Sequence, residues 1–308
     1  MRNDFKMANH TVQMNNESQS EDFSRRYRPE TAIIINCILN APLMLISIPG
    51  NALVLAAIIR TPSIRSTHMI MLCSLAVSDL LVGFIADPLF IARELTSHRV
   101  LVNLVVVMGY SVCVISLCTM TAISLDRFLA LHYHMTYASL VTSLRVKYTL
   151  GMIWLTNFLL SGFYFINASA YFFVIASMTV ICIITSSFAY ICIYRIVRRH
   201  QLQIHSQQQA VATSNAENSI NMIRLKRSAM NTFVFYIFLI ICYSPMYIML
   251  TVNLSKKAIW TKEWNFSVTL VFMNSSINPF LFCWRLRELR VIVTKTIRKI
   301  IGRQTENH

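Results

Sequence analysis

Charge is what this chain has least of. Only 13 % of its 308 residues are Asp, Glu, Lys or Arg, where a soluble domain carries about a quarter. With 55 % hydrophobic residues and a mean hydropathy of +0.53, a water-soluble globule is excluded. Between Tyr148 and Tyr194 there is no Asp, Glu, Lys, Arg or His over 47 residues. One helix of that length would measure about 70 Å, against an apolar membrane core of about 30 Å. The stretch must therefore fold back, and its one polar interruption, "FYFINASAYFF" (163–173), puts a short turn at Asn167–Ser169. Cysteine is missing from every polar segment: all eight lie in or beside apolar runs, which excludes a loop disulfide framework and predicts small packing residues. Residues 1–31 hold no apolar signal core, so the first span is expected to act as its own insertion signal. There is no nucleophile–base constellation, phosphate loop or metal-ligand spacing, and no internal repeat. His132 and His134 stand two apart and share no helix face. An enzyme and a cofactor protein are not expected.

What is present is seven apolar runs, at 32–59, 68–92, 100–131, 145–165, 169–195, 228–251 and 265–284. Each is long enough to span a bilayer. The expected fold is an all-α, seven-transmembrane helix bundle over 32–284. It is preceded by an extracellular tail (1–31) and followed by an amphipathic interfacial helix (285–301) and a cytoplasmic tail (302–308). In "RLRELRVIVTKTIRKII", Leu286, Leu289, Val293, Ile297 and Ile300 recur at three and four residues with bases opposite. The stretch 201–219, rich in Gln, Ser and Asn, reads as a solvated loop.

The net charge of +15 does not imply nucleic acid, because the bases lie between spans and not on one exposed face. Anionic lipid headgroups and a cytosolic partner are the expected neighbours. Eighteen of the 28 bases flank one set of span ends, including Arg60, Arg127, Arg145, Arg195 and the stretch after Trp284. The positive-inside rule then places the N-terminus outside and the C-terminus in the cytosol; the plasma membrane is the expected location. The sequons at Asn9 and Asn16 agree with an outer, glycosylated tail.

An ionisable residue within a span costs about 2.5–3.5 kcal/mol at mid-depth and calls for a partner. Asp79 in "SLAVSDLLVG" is read as the one clearly buried acid, which argues against a transporter. Asn51, Ser116, Asn274, Ser275 and Asn278 are expected to surround it, Asn274 and Asn278 on one helix face. Such a seam is either a cation site that rearranges when helices shift or a hydrogen-bonded knot that holds them. Pro245 in "CYSP" and Pro279 in "NPFLF" predict bends in the last two spans. Asp126 and Arg127 end the third span side by side. They make either a latch that frees Arg127 for another protein or a plain interfacial charge pair.

Taken together, these residues resemble the rhodopsin-like (class A) G-protein-coupled receptors. "GNALVL" with Asn51, "LAVSDLL" with Asp79 and "DRF" with Arg127 stand in order with Trp154, Tyr190, "CYSP" and "NPFLF" on seven successive spans. The resemblance implies a sodium site around Asp79 and a heterotrimeric G protein meeting Asp126, Arg127 and Tyr190, with Pro245, Asn278, Pro279 and Phe282 in the activation machinery. It departs at Tyr243, where tryptophan is usual, and at Phe282, where tyrosine is usual. Val102 stands where the family's third-helix cysteine is usual, and no proline occurs between Pro88 and Pro245. These absences and the tiny turn near Asn167 are similar to the melanocortin, cannabinoid, lysolipid and adenosine receptor cluster. Melanocortin peptide binding does not carry over, because Leu89, Val102 and Val106 replace acids. Gly109 lacks the carboxylate of amine receptors, and Phe272 lacks the lysine of opsins. A pocket lined by Gly109, Tyr110, Phe172, Tyr243, Met246, Tyr247, Phe272 and Met273 implies a non-aminergic ligand: small and amphipathic, lipid-like, or a peptide. With no acid at the foot of the sixth helix, Asp126 is expected to restrain Arg127 alone, and basal activity is expected. The alternatives are a receptor-like protein that binds without signalling and, less well matched, a membrane transporter.

Overall fold

The computed structural model describes residues 30–61, 66–96, 98–208, 234, 236–249, 251, 262–285 and 287–305. The sequons at Asn9 and Asn16, most of the 201–219 stretch and the start of the sixth span lie outside the described residues. Among the described residues the chain is helical, with no strand. Helix α1 is Glu30–Arg60, α2 Thr67–Thr96, α3 Val100–His132, α4 Ser143–Phe163, α5 Ala168–Gln208, α6 Tyr236–Met249, α7 Lys262–Arg285 and α8 Arg287–Thr305. Helices α1, α2, α3, α5 and α7 are long and apolar enough to cross a membrane. The 21 residues of α4 and the apolar α6 complete a seven-helix bundle.

Helix starts follow from capping side chains. Ser66 accepts from the Met69 amide (3.4 Å), Thr142 from Arg145 (3.4 Å) and Asn167 from Ala170 (3.0 Å). The reversal between α4 and α5 therefore occupies residues 164–167, earlier than the Asn167–Ser169 turn read from sequence, because Asn167 is a cap. Helix α5 continues to Gln208, so the beginning of the expected solvated loop is helical. Likewise α8 runs to Thr305, beyond the expected boundary at 301. Its buried stripe is Leu289, Val293 and Thr296, while Ile297 is exposed.

Two helices are widened by π-turns, Val82–Ala86 in α2 and Val105–Tyr110 in α3. The first has a cause in the sequence. Pro88 has no amide to bond the Phe84 carbonyl and its ring crowds that group, so the preceding turn opens. The two π-turns face each other, and a Cβ on Gly109 would stand 3.6 Å from the Ala86 Cβ. Helices α1 and α7 cross even more tightly: a Cβ on Gly50 would fall 2.9 Å from Pro279 Cγ. Helices α6 and α7 continue through Pro245 and Pro279, and α1 carries two interior prolines, Pro42 and Pro49, that the sequence reading passed over. One large core joins the helices. A smaller one of Leu131, Tyr190, Ile193, Val197 and Tyr236 closes α3, α5 and α6 at the Arg127 end.

Candidate functional site

Among the described residues, three of the buried polar clusters hold an acid, and the middle one is built on Asp79. Its carboxylate accepts from Asn278 Nδ2 at 2.7 Å and Ser116 Oγ at 3.2 Å, and the Ser275 hydroxyl also reaches it. Helices α2, α3 and α7 thus meet on one acid. Asn51 is in the seam but not on the carboxylate. Its Nδ2 donates to the carbonyls of Ser47 and Ser275, both at 3.0 Å, and Ser47 Oγ donates to the Asp79 carbonyl at 3.1 Å. Asn274 is buried with its Nδ2 unpartnered, so the shared face with Asn278 does not bring both amides to Asp79. Trp154 Nε1 ties α4 to Ser74 of α2 at 3.0 Å.

The second cluster holds Asp126 and Arg127. Arg127 donates to Asp126 Oδ2 through Nη2 and, at 3.0 Å, through Nε. Both side chains are buried. The second Asp126 oxygen accepts from Tyr137 Oη at 2.6 Å, and Tyr137 lies 3.1 Å from Thr67 Oγ1. Asp126 is therefore anchored to the α3–α4 connection, and through Tyr137 to α2. Burial, then the Asp126 hydrogen bond, pushes the Tyr137 phenol up to about 12, so it remains a donor at neutral pH. One turn before Arg127, Ser124 donates to Tyr190 Oη at 3.2 Å, and Tyr190 stacks on Tyr236 at 4.8 Å. A recess of about 440 Å³ opens beside them between α5 and α6, lined by Ile191, Tyr194, Arg195, Arg198 and Ile240 among others. Phe282 is buried in the large core.

The third cluster, at the opposite end, was missed by sequence reasoning. Arg93 Nη1 donates to Glu94 Oε1 (2.9 Å) and Asn265 Oδ1 (3.1 Å), and Asn265 Nδ2 donates to both Glu94 oxygens (3.0 and 2.9 Å). All three residues are buried, as is Asp87. Asp79 is thus not the one buried ionisable residue. Ending the second span at residue 92 put Arg93 and Glu94 outside it, whereas α2 runs on to Thr96. Two adjacent charges continuing an apolar helix were the available signal.

The expected ligand-lining residues separate into groups. Tyr110, Tyr243, Met246 and Tyr247 line one cavity with Cys113 and Ile175, but it holds only about 20 Å³, room for about one water. Tyr243 Oη donates to the Cys113 carbonyl at 2.9 Å, tying α6 to α3. Phe172 packs edge-on against Tyr110 at 6.4 Å. Phe272 stands apart from that cavity, edge-on to Phe90 at 5.4 Å, and Met273 packs against the core. Gly109 faces Ala86 and serves helix approach. Trp264, fully buried and donating to Tyr110 Oη at 2.9 Å, also went unforeseen, because the last span was begun at residue 265.

Five helices long and apolar enough to cross a membrane, with α4 and α6 beside them around a sparse polar seam, define a multi-pass helical membrane protein. Residues 50–170 match the family model described as 7 transmembrane receptor (rhodopsin family). That match runs from the end of α1 to the start of α5, and the helical bundle continues through α5–α7 beyond it.

Proposed function

We propose that this receptor couples an extracellular ligand to a cytosolic heterotrimeric G protein, with the Arg127 end in the cytosol and the Glu94 end outside. The observation that carries the reading is the arrangement at the foot of α3. A buried Arg127 is held by Asp126, which Tyr137 holds in turn, next to a recess between α5 and α6 bordered by Arg195 and Arg198. A movement that draws the carboxylate away loosens the hold on the guanidinium. The α3–α5–α6 contact beside it is a small, separate core that is able to part without opening the main one. No bond is made or broken in this cycle: binding on one side shifts the population of a form exposing Arg127 on the other.

Asp79 with Ser116 and Ser275 presents oxygens suited to a hard cation, and the buried Asn51 Oδ1 is an acceptor without a partner. Sodium is the ion proposed there. Bound, it would join α2, α3 and α7 and favour the restrained form. The ligand proposed is small and amphipathic, received among Tyr110, Phe172, Tyr243, Met246 and Tyr247 after that closed region widens.

The test is guanine-nucleotide exchange on purified G proteins presented with membranes containing the wild type or Arg127→Ala. Basal exchange above the Arg127→Ala background is expected for the wild type. Equal exchange across all G-protein classes would overturn coupling and leave a receptor that binds without signalling.

A further inference from the structure

Asp87 is the least explained residue in the bundle. It is fully buried, and neither carboxylate oxygen has a hydrogen-bond partner. Asp79, eight residues earlier, has three. A carboxyl group in an apolar interior without a hydrogen-bond partner is costly to keep charged, and it gains its charge most readily when a cation comes to lie beside it.

Its direction follows from the π-turn. At about 100° per residue, eight residues of regular α-helix would turn Asp87 about 80° away from the face of Asp79. The extra residue absorbed by Val82–Ala86 reduces this to about 20°. Asp87 therefore returns to the inward face, and it lies near enough to Cys113 of α3 for the two side chains to interact electrostatically. Cys113 lines the small cavity with Tyr110 and Tyr243. Tyr110 closes the facing π-turn of α3, so both distortions end on a side chain of this region.

Among the described residues, the ionisable groups buried in this half are Asp87, Arg93 and Glu94, and Arg93 donates to Glu94 and Asn265. Asp87 takes no hydrogen bond from them. The same half carries aromatic rings: Phe90, about one turn on from Asp87, edge-on to Phe272, and Tyr110 edge-on to Trp264. An acid and aromatic rings in one apolar region are the composition that receives an ammonium group.

We propose that Asp87 is the anchor for a protonated amine on the ligand, which adds a positive head to the amphipathic ligand of the receptor reading and rests on it. The carboxylate that Gly109 does not supply from α3 comes from α2 instead. Resting contacts close the site. Separation of the Trp264–Tyr110 and Arg93–Asn265 bonds lets the ammonium in, and binding thereby moves α7 relative to α2 and α3.

The test uses the full chain, purified in lipid nanodiscs at fixed sodium chloride, with phenethylammonium as probe and 3-phenylpropanol as its neutral analogue, each at about 10 mM. Thermal unfolding is followed without G protein. The ammonium is expected to raise the wild-type midpoint by about 3 °C, as for a ligand near ten times its Kd, and the alcohol is not. Asp87→Asn should abolish the shift and Asp87→Glu should keep it. No wild-type shift, an equal shift with the alcohol, or an undiminished shift in Asp87→Asn each overturns the proposal. Should Asp87→Asn fail to fold, the comparison of ammonium with alcohol on wild type decides alone. Nucleotide exchange is measured separately. A specific ammonium shift without exchange removes coupling but not this site, and exchange without the shift removes this site alone.

Discussion

At the residue scale, the contact that holds the Asp126–Arg127 pair in place is Tyr137 on Asp126. A hydrogen bond to a charged group contributes about 1.5–3 kcal/mol, and this one holds the acid that holds Arg127. Tyr137→Phe removes the hydroxyl and leaves the ring. Basal nucleotide exchange is expected to rise about five- to tenfold, and Arg127→Ala in the same background should erase the rise. Because the phenol is pushed up to about 12, its contribution is complete below about pH 10 and is lost as pH rises through about 12. Basal exchange measured between about pH 6 and pH 8 should therefore show no change that depends on Tyr137.

At the scale of elements, the bundle is set by where helices touch. The α1–α7 crossing depends on Gly50, where any Cβ meets the Pro279 ring at 2.9 Å. Gly50→Ala is expected to destabilise by about 1–3 kcal/mol through overpacking, read as a lower unfolding midpoint in detergent. Gly151 in α4 has nothing within 4 Å of its Cβ position. Gly151→Ala should hold or raise the midpoint, by about 0.5–1 kcal/mol of helix preference. The sequence showed these helices well, because apolar run length is a strong signal. It showed Asp79 and the Asp126–Arg127 pair too, since an acid inside an apolar run demands a donor. It did not show which way Asp87 points, because a π-turn changes the phase of all that follows and Val82–Ala86 looks like any other apolar stretch.

For the whole molecule, the distribution of bases makes a claim about sidedness that is testable without a ligand. If the Arg127 end faces the cytosol, Asn9 and Asn16 face the secretory lumen during synthesis. Protein from a eukaryotic host should then lose mass on treatment with an endoglycosidase, and the double variant Asn9→Gln, Asn16→Gln should already migrate at the lower mass. A fully unmodified wild type would contradict the orientation. The same experiment bears on both ligand and G protein, because each is assigned a side by it.

Helix α5 has 41 residues and is therefore about 60 Å long, where bilayer and headgroups together take about 40–45 Å. Its last turns stand clear of the lipid as a lever arm. A tilt of about 5° pivoting at Ala168 sweeps the far tip through about 5 Å, so a displacement too slight to disturb packing near Tyr171 is magnified into a stroke large enough for a docked protein to register.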